Sequence, residues 1–354
     1  MKNPIFIIFI VILSFSCSNY DKEKWSIHNG KGIENGSFDL LKFKTDSIGY
    51  LGGGISYTEF DDNGKLISNS DSTALYKTNN GGKNWKKINL NQEGEIRDIK
   101  FFGDKSYALN QSLYTNSKIV VSEKEDNEWK QIVEFEEGDY VRDYEYLDSN
   151  GLFVVISNNS KVSLLKVTNR IDTIKTYSSQ NYKVQVKDGK MYMIYNSGGA
   201  YSDGVILYDY LLNKETTIPF DKNYWIYSTF INEKNEFFIA VSDKENETSK
   251  IFKMSNKNLT EISLNQYQKY SLGQIFVRDS LIFIDSNKPE NVGPIGVTHE
   301  LLYSTNGGVD WEIENYPFSL IVKPAFLKKN GKYIAYQGMK KFQEINTFAN
   351  NVYK

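Results

Sequence analysis

The chain of 354 residues contains one cysteine, Cys17, together with two histidines and six prolines. A lone thiol cannot form a disulfide within the chain, so the fold has to be stable from packing alone. His28 and His299 are far apart in sequence, and two histidines with no further Cys do not make a zinc set. Arginine occurs only as Arg97, Arg142, Arg170 and Arg278. Arginine is the residue suited to a two-pronged grip on carboxylate or phosphate, so its scarcity limits that chemistry. The formal net charge is −2 and no basic stripe is present, which argues against nucleic acid as a partner. There is no long run with 3.6-residue periodicity, no Gly-x-Ser-x-Gly elbow and no EF-hand spacing. Asp61-Asp62-Asn63-Gly64-Lys65, between Phe60 and Leu66, reads as a turn. No metal or cofactor is expected.

What is abundant is aromatic: 25 Tyr and 21 Phe in short runs, a composition that favours strands over a helical bundle or disorder. The N-terminus reads differently. Lys2 precedes an apolar run from Ile5 to Phe15, long enough for a signal h-region and too short to span a bilayer. Ser14-Phe15-Ser16-Cys17-Ser18 then looks like a bacterial lipobox, with Ser14 where Leu is commoner. The expected division is a lipoprotein signal peptide over residues 1–16, the lipidated Cys17 and a polar tether over 17–24, and a single β domain over 25–354. Acyl chains on Cys17 would hold the protein on a membrane. Ser18 after the Cys resembles the outer-membrane sorting class, so an outer-membrane lipoprotein facing periplasm or cell surface is expected.

The rest of the chain is organised around Thr78-Asn79-Asn80-Gly81-Gly82-Lys83-Asn84-Trp85, which returns as Ser304-Thr305-Asn306-Gly307-Gly308-Val309-Asp310-Trp311. Hydroxyl, amide, glycine and indole keep one spacing in both: Thr78, Asn80, Gly82 and Trp85, then Ser304, Asn306, Gly308 and Trp311. Each copy lies between strand-like runs and so predicts a hairpin whose loop is stapled by its own side chains. A degraded copy keeps Ser122, Lys124, Asp126 and Trp129. The pattern resembles the Asp-box, or BNR, repeat of sialidase-like β-propellers. The resemblance implies an all-β propeller in which the box residues are structural.

Apolar runs recur at the spacing of propeller repeats. Units start at Phe38, Ile96, Val141, Tyr182, Phe237 and Gln274, and two or three further strands fall between Ile321 and Phe342. Trp25-Ser26-Ile27 looks like the strand that follows a box. Seven blades are therefore favoured over six, with the N-terminal strand closing the last blade and removing a free sheet edge.

Arg97 and Arg142 hold matching places in the second and third units, each followed by Asp, and Lys183 starts the fourth. They are candidate ligand-binding residues at one mouth of the central channel, beside Glu136, Glu137, Asp139 and Asp143. The Pro-, Asn- and Gly-rich insert from Asp285 to His299 is a second candidate. The Arg-Ile-Pro segment of sialidases is absent, with Arg278 expected in a turn and Arg170 in an outer-strand loop. The rhythm of Ser47 to Gly53 followed by the first box is similar to the photosystem II assembly-factor type of propeller, which also occurs as lipid-anchored proteins in non-photosynthetic bacteria. That resemblance implies a non-catalytic scaffold, here for a protein or glycan of the envelope. The alternatives are a sialidase-like glycoside hydrolase and an envelope immunity lipoprotein.

Overall fold

Residues that alternate or run apolar with strong β propensity pair here into a series of antiparallel hairpins. The structure, a computed structural model, describes residues 25–345 apart from 35–36, 61–65, 91, 112–115, 123–127, 148–149, 159–160, 179–182, 196–200, 256, 289–298, 316–324, 329 and 339–340. Cys17 and the signal segment therefore lie outside the described residues, as do the Asp61–Lys65 turn and most of the 285–299 insert.

After β1 (Trp25–Asn29), the first sheet is β2 (Ser37–Phe43), β3 (Gly49–Phe60), β4 (Leu66–Thr78) and β5 (Lys86–Ile88), in that order. The second is β6 (Glu95–Phe102), β7 (Lys105–Gln111), β8 (Lys118–Ser122) and β9 (Trp129–Glu134). The third is β10 (Tyr140–Leu147), β11 (Gly151–Asn158), β12 (Lys161–Val167) and β13 (Ile171–Ser178). Next comes a 7-stranded sheet of β14 (Val184–Lys187), β15 (Lys190–Tyr195), β16 (Ser202–Asp209), β17 (Lys214–Ile231), β18 (Phe237–Asp243), β19 (Thr248–Ser255) and β20 (Asn258–Ile262). It is two units fused through β17, whose first half pairs with β16 and whose second half, Trp225 to Ile231, pairs with β18. β21 (Ser271–Arg278), β22 (Leu281–Asn287), β23 (His299–Ser304) and β24 (Glu312–Asn315) form the next sheet. In the last, β25 (Ala325–Leu327), β26 (Tyr333–Gly338) and β27 (Lys341–Ile345) are joined by β1, with Trp25 opposite Ile345 and Asn29 opposite Lys341.

The burial pattern explains the sequence pattern. Middle strands are covered on both faces by the neighbouring sheets: β18 is buried at every residue, which is why it reads as continuous Phe237-Phe238-Ile239-Ala240-Val241. Outer strands such as β13 are half exposed and mix polar with apolar residues. Apolar clusters fill the spaces between successive sheets. One joins Leu40, Tyr50 and Leu75 to Ile96, Ile99 and Ala108, and another joins Phe276, Phe283 and Tyr303 to Tyr333. The last sheet also meets the first: Ile334 and Phe326 pack with Phe43 and Leu51, and the Phe43 and Phe326 rings are 6.0 Å apart. Their loops are tied as well, since Lys328 Nζ donates to the Gly81 carbonyl at 3.1 Å and the Asn330 amide to Asp46 Oδ1 at 3.1 Å.

Two expectations need correction. The apolar pattern starts the fifth unit at Phe237, but its first strand is the second half of β17; the corner at Pro219 to Asn223 holds no glycine and the strand continues through it. Arg278, expected in a turn, is the last residue of strand β21.

Candidate functional site

The two repeated loops are built alike. In the first, Thr78 Oγ1 accepts from the Gly82 amide at 3.0 Å, Asn80 Oδ1 accepts from the Asn84 amide at 2.9 Å, and Thr78 Oγ1 donates to Asn80 Oδ1 at 3.0 Å. In the second, Ser304 Oγ accepts from the Gly308 amide at 2.8 Å and Asn306 Oδ1 from the Asp310 amide at 2.9 Å. Gly81, Gly82, Gly307 and Gly308 all have positive φ. Trp85 and Trp311 are buried, but their indole N–H groups go to different places: Trp85 to its own loop at Gly82, Trp311 across to the Ser263 carbonyl. Both loops follow the third strand of a sheet and bond to the turn between its first two strands, through the Gly81 amide to Ser47 and the Gly307 amide to Ser280. They therefore sit at the end of the sheets where the first strands finish. Trp129 of the degraded copy is half-buried against Tyr50, with residues 123–127 outside the description.

The opposite end, where the first strands begin, carries the other candidates. Here the pairing of first and second strands slips by a β-bulge at Asp39 in β2, at Arg97 in β6, at Arg142 in β10, at Tyr227 in β17 and at Gly273–Gln274 in β21. A bulge leaves its residue unpaired and re-aims the side chain. Arg97 and Arg142 line a shared cavity of about 470 Å³ with Asp98, Gln111 and Tyr140. Arg97 is ion-paired to Glu95 and, at 3.2 Å, to Asp39 of the neighbouring sheet. Arg142 lies over the Tyr140 ring and donates through Nε to Ser157. Among the residues expected beside them, Asp139 accepts from Asn158 at 2.7 Å and Asp143 is buried, whereas Glu136 and Glu137 are exposed in the loop before β10. Lys183 is exposed just before β14 and lines neither this cavity nor the one behind it, so the structure does not bring it together with the two arginines.

Sequence reasoning missed Trp225. It stands two residues before the β17 bulge, as Tyr140 stands before Arg142 and Glu95 before Arg97. Trp225 is 46% exposed, unusual for so large an apolar side chain, and the exposed Tyr201 lies beside it, because Ser202 pairs with Tyr224. The visible signal was Tyr224-Trp225-Ile226-Tyr227, hidden in a strand that continues from its predecessor. The 285–299 insert opens on the same end, since Asn287 pairs with both Ser271 and His299.

Behind the mouth is a cavity of about 430 Å³ lined by residues of β2, β6, β10, β14, β17, β21 and β25, the first strand of every unit. Its wall between the first and third sheets is a ladder of ion pairs, Lys42 with Asp98 and Lys100 with Asp143. Burial alone would lower the Lys100 pKa, but Asp143 and Asp98 more than offset it and the ammonium is held above its ordinary value. Burial pushes Asp143 up, against the pull of Lys100 and the Val186 amide. Burial likewise raises Glu145, which accepts from the Tyr210 hydroxyl at 2.5 Å and from the Gly189 amide at 3.1 Å. These contacts link the first four units in series. Among the described residues no three His, Cys, Asp or Glu side chains gather as a metal set.

Solved structures share this architecture. The structure of YCF48 bound to D1 peptide matches with a TM-score of 0.61 over 93% of this chain and 96% of that one, at 11% identity. The β-propeller domain of the trilobed protease from Pyrococcus furiosus matches with a TM-score of 0.52 over 85% of this chain and 90% of that one, at 11% identity. The fold is a β-propeller. An oligogalacturonate lyase in complex with manganese is also similar, with a TM-score of 0.57 and 9% identity over 89% of this chain and 98% of that one. No protein-family model matches the sequence and no curated protein matches it. At these identities the likeness concerns the propeller fold alone. Within it, the sequence-expected residues divide between two faces: Thr78 to Trp85 and Ser304 to Trp311 on one, Arg97 and Arg142 on the other.

Proposed function

We propose that this chain is a lipid-anchored, closed, seven-bladed Asp-box propeller that docks a segment of a partner protein at the mouth bearing Arg97, Arg142 and Trp225. Several observations favour seven blades and closure. Successive first strands approach one another from β2 through β6, β10, β14, β17, β21 and β25, and β25 in turn approaches β2. The N-terminal β1 supplies the outer strand of the last sheet, and β17 serves two blades. Anchoring rests on the lipobox at Cys17 and makes the protein an envelope, outer-membrane lipoprotein.

The observation that carries the docking role is the exposed Trp225 on the same rigid rim as Arg142 and Tyr140. Trp, Tyr and Arg are the side chains enriched in protein–protein hot spots, the two aromatics because they bury large areas with few rotatable bonds. The similar YCF48 has been captured with a peptide. The hydrolase reading is less favoured: Arg97 and Arg142 sit where first strands begin, whereas Arg278 sits where β21 ends, so three arginines do not converge on one carboxylate. The test is capture from detergent-solubilised envelope with the intact lipidated protein and with an Arg142→Ala/Trp225→Ala variant. A discrete partner should come down with the first and fall at least tenfold with the second. Equal capture by both would contradict the docking site. Glycan binding with no protein captured would make the partner a glycan.

A further inference from the structure

The far end of the channel carries cations that the ion ladder does not match. Lys187 ends β14 and Arg278 ends β21, and both line the cavity of about 430 Å³. They reach over one turn, that between β17 and β18. Lys187 Nζ donates to the Asn232 carbonyl at 2.6 Å, and Arg278 Nη2 lies 3.4 Å from the Glu233 carboxylate. Glu233 is 71% exposed, so its hold on the guanidinium is weak. Arg278 Nη1 is buried with no hydrogen-bond partner among the described residues, on a group that cannot shed its proton. Burial also pulls the Lys187 ammonium below its ordinary value, with Asp188 and Glu233 opposing it only in part. Two residues back on the same face of β14, Gln185 gives its amide nitrogen to the Thr229 carbonyl at 3.1 Å. Its Oε1 is buried and accepts no hydrogen bond among the described residues. Elsewhere in the cavity Lys42 and Lys100 are already satisfied by Asp98 and Asp143.

We propose that this end of the channel binds a small hydroxycarboxylate, whose carboxylate accepts from Arg278 Nη1 and the Lys187 ammonium and whose hydroxyl donates to Gln185 Oε1. The charge count favours a monoanion. Two cations line the cavity, but Glu233 pairs with Arg278, and Asp188 and Glu233 both act on Lys187, so a phosphate dianion would meet more repulsion than a carboxylate. The guanidinium fork also matches a planar carboxylate. The cavity is within the size range of small-molecule sites. The unmet acceptor at Gln185 selects a ligand with a hydroxyl to give, since leaving a buried acceptor unpaired is costly.

The full-length protein in detergent, titrated calorimetrically with L-lactate, D-lactate, D-gluconate, acetate and inorganic phosphate, tests this. At least one hydroxycarboxylate should bind about tenfold more tightly than acetate, which lacks the hydroxyl, and more tightly than phosphate. Gln185→Leu should erase that preference and leave acetate unchanged, and Arg278→Gln should weaken every carboxylate at least tenfold. Lys187→Met, which removes a costly buried charge, should stay folded and weaken carboxylates too, so the idea remains testable if Arg278→Gln does not fold. No binding of any hydroxycarboxylate, tighter binding of phosphate, or hydroxycarboxylate binding untouched in Lys187→Met and Gln185→Leu would overturn the site.

Discussion

Gly307 and Gly308 show how much a single methyl group can mean in this fold. Both have positive φ, at 75° and 93°. A Cβ on Gly307 would meet nothing within 4 Å, whereas one on Gly308 would lie 2.2 Å from Cγ2 of Ile262 in the preceding sheet. Gly307→Ala should therefore cost only the left-handed backbone term, about 1–2 kcal/mol. Gly308→Ala adds overpacking of roughly 1–3 kcal/mol. Urea unfolding should show the second variant clearly less stable; equal losses would mean that the loop does not press on the neighbouring sheet. The glycine spacing was legible in the sequence because both loops repeat it. The contact with Ile262 was not, because it depends on which sheet packs behind the loop. The two indoles show the same limit: identical positions in the repeat, yet one N–H bonds within its loop and the other to Ser263.

Among elements, the outer strand of the last sheet is the informative one. β1 lies hundreds of residues from β27 along the chain, and only their pairing keeps β27 from being a bare edge. Its recognition from Trp25-Ser26-Ile27 worked because the segment repeats the texture of the strand after a box. The first strand of the fifth unit was not recognised for the opposite reason. β17 runs for 18 residues through a change of sheet, with no Gly-rich turn to mark the corner, and that concealed Trp225. Bulges are nearly as hard to read: the inserted residue shifts the apolar alternation by one, as between Ile96 and Ile99, but only the cross-strand register shows which residue is the extra one. The pairing of β1 predicts a covalent lock. Ser26 lies opposite Glu344, so Ser26→Cys with Glu344→Cys, in a Cys17→Ser background, should oxidise to a disulfide across the strands. Closing so long a loop should stabilise the domain by up to about 5 kcal/mol, read as a rise in the denaturant midpoint that reductant reverses. Failure of this pair to oxidise, with a readier bridge when Ser26→Cys is combined instead with Phe342→Cys, would place the strand in another register.

At the scale of the whole molecule, the residues divide by face. The stapled loops occupy one end, where Leu211 and Leu212 are also exposed in the β16–β17 turn. The bulged mouth, Trp225 and the paired Asn287 and His299 of the 285–299 insert occupy the other. Between them runs a lumen whose ion pairs couple successive units on one side, while on the other Arg278 Nη1 and Gln185 Oε1 have no hydrogen-bond partner among the described residues. A tether of a few residues after Cys17 would hold this body close to the membrane. Cys17→Ser should accordingly move the protein from the membrane fraction to the soluble envelope fraction; unchanged fractionation would contradict lipid anchoring.

The central claim is that the bulged mouth is the docking face. The most direct measurement is site-specific photo-cross-linking in intact cells, with a photoreactive aromatic residue placed at Trp225 and, as the control on the opposite face, at Leu212, which is 74% exposed. A discrete protein adduct at position 225, absent at 212, is the predicted result. Adducts at 212 alone, or the same adducts at both positions, would contradict the account.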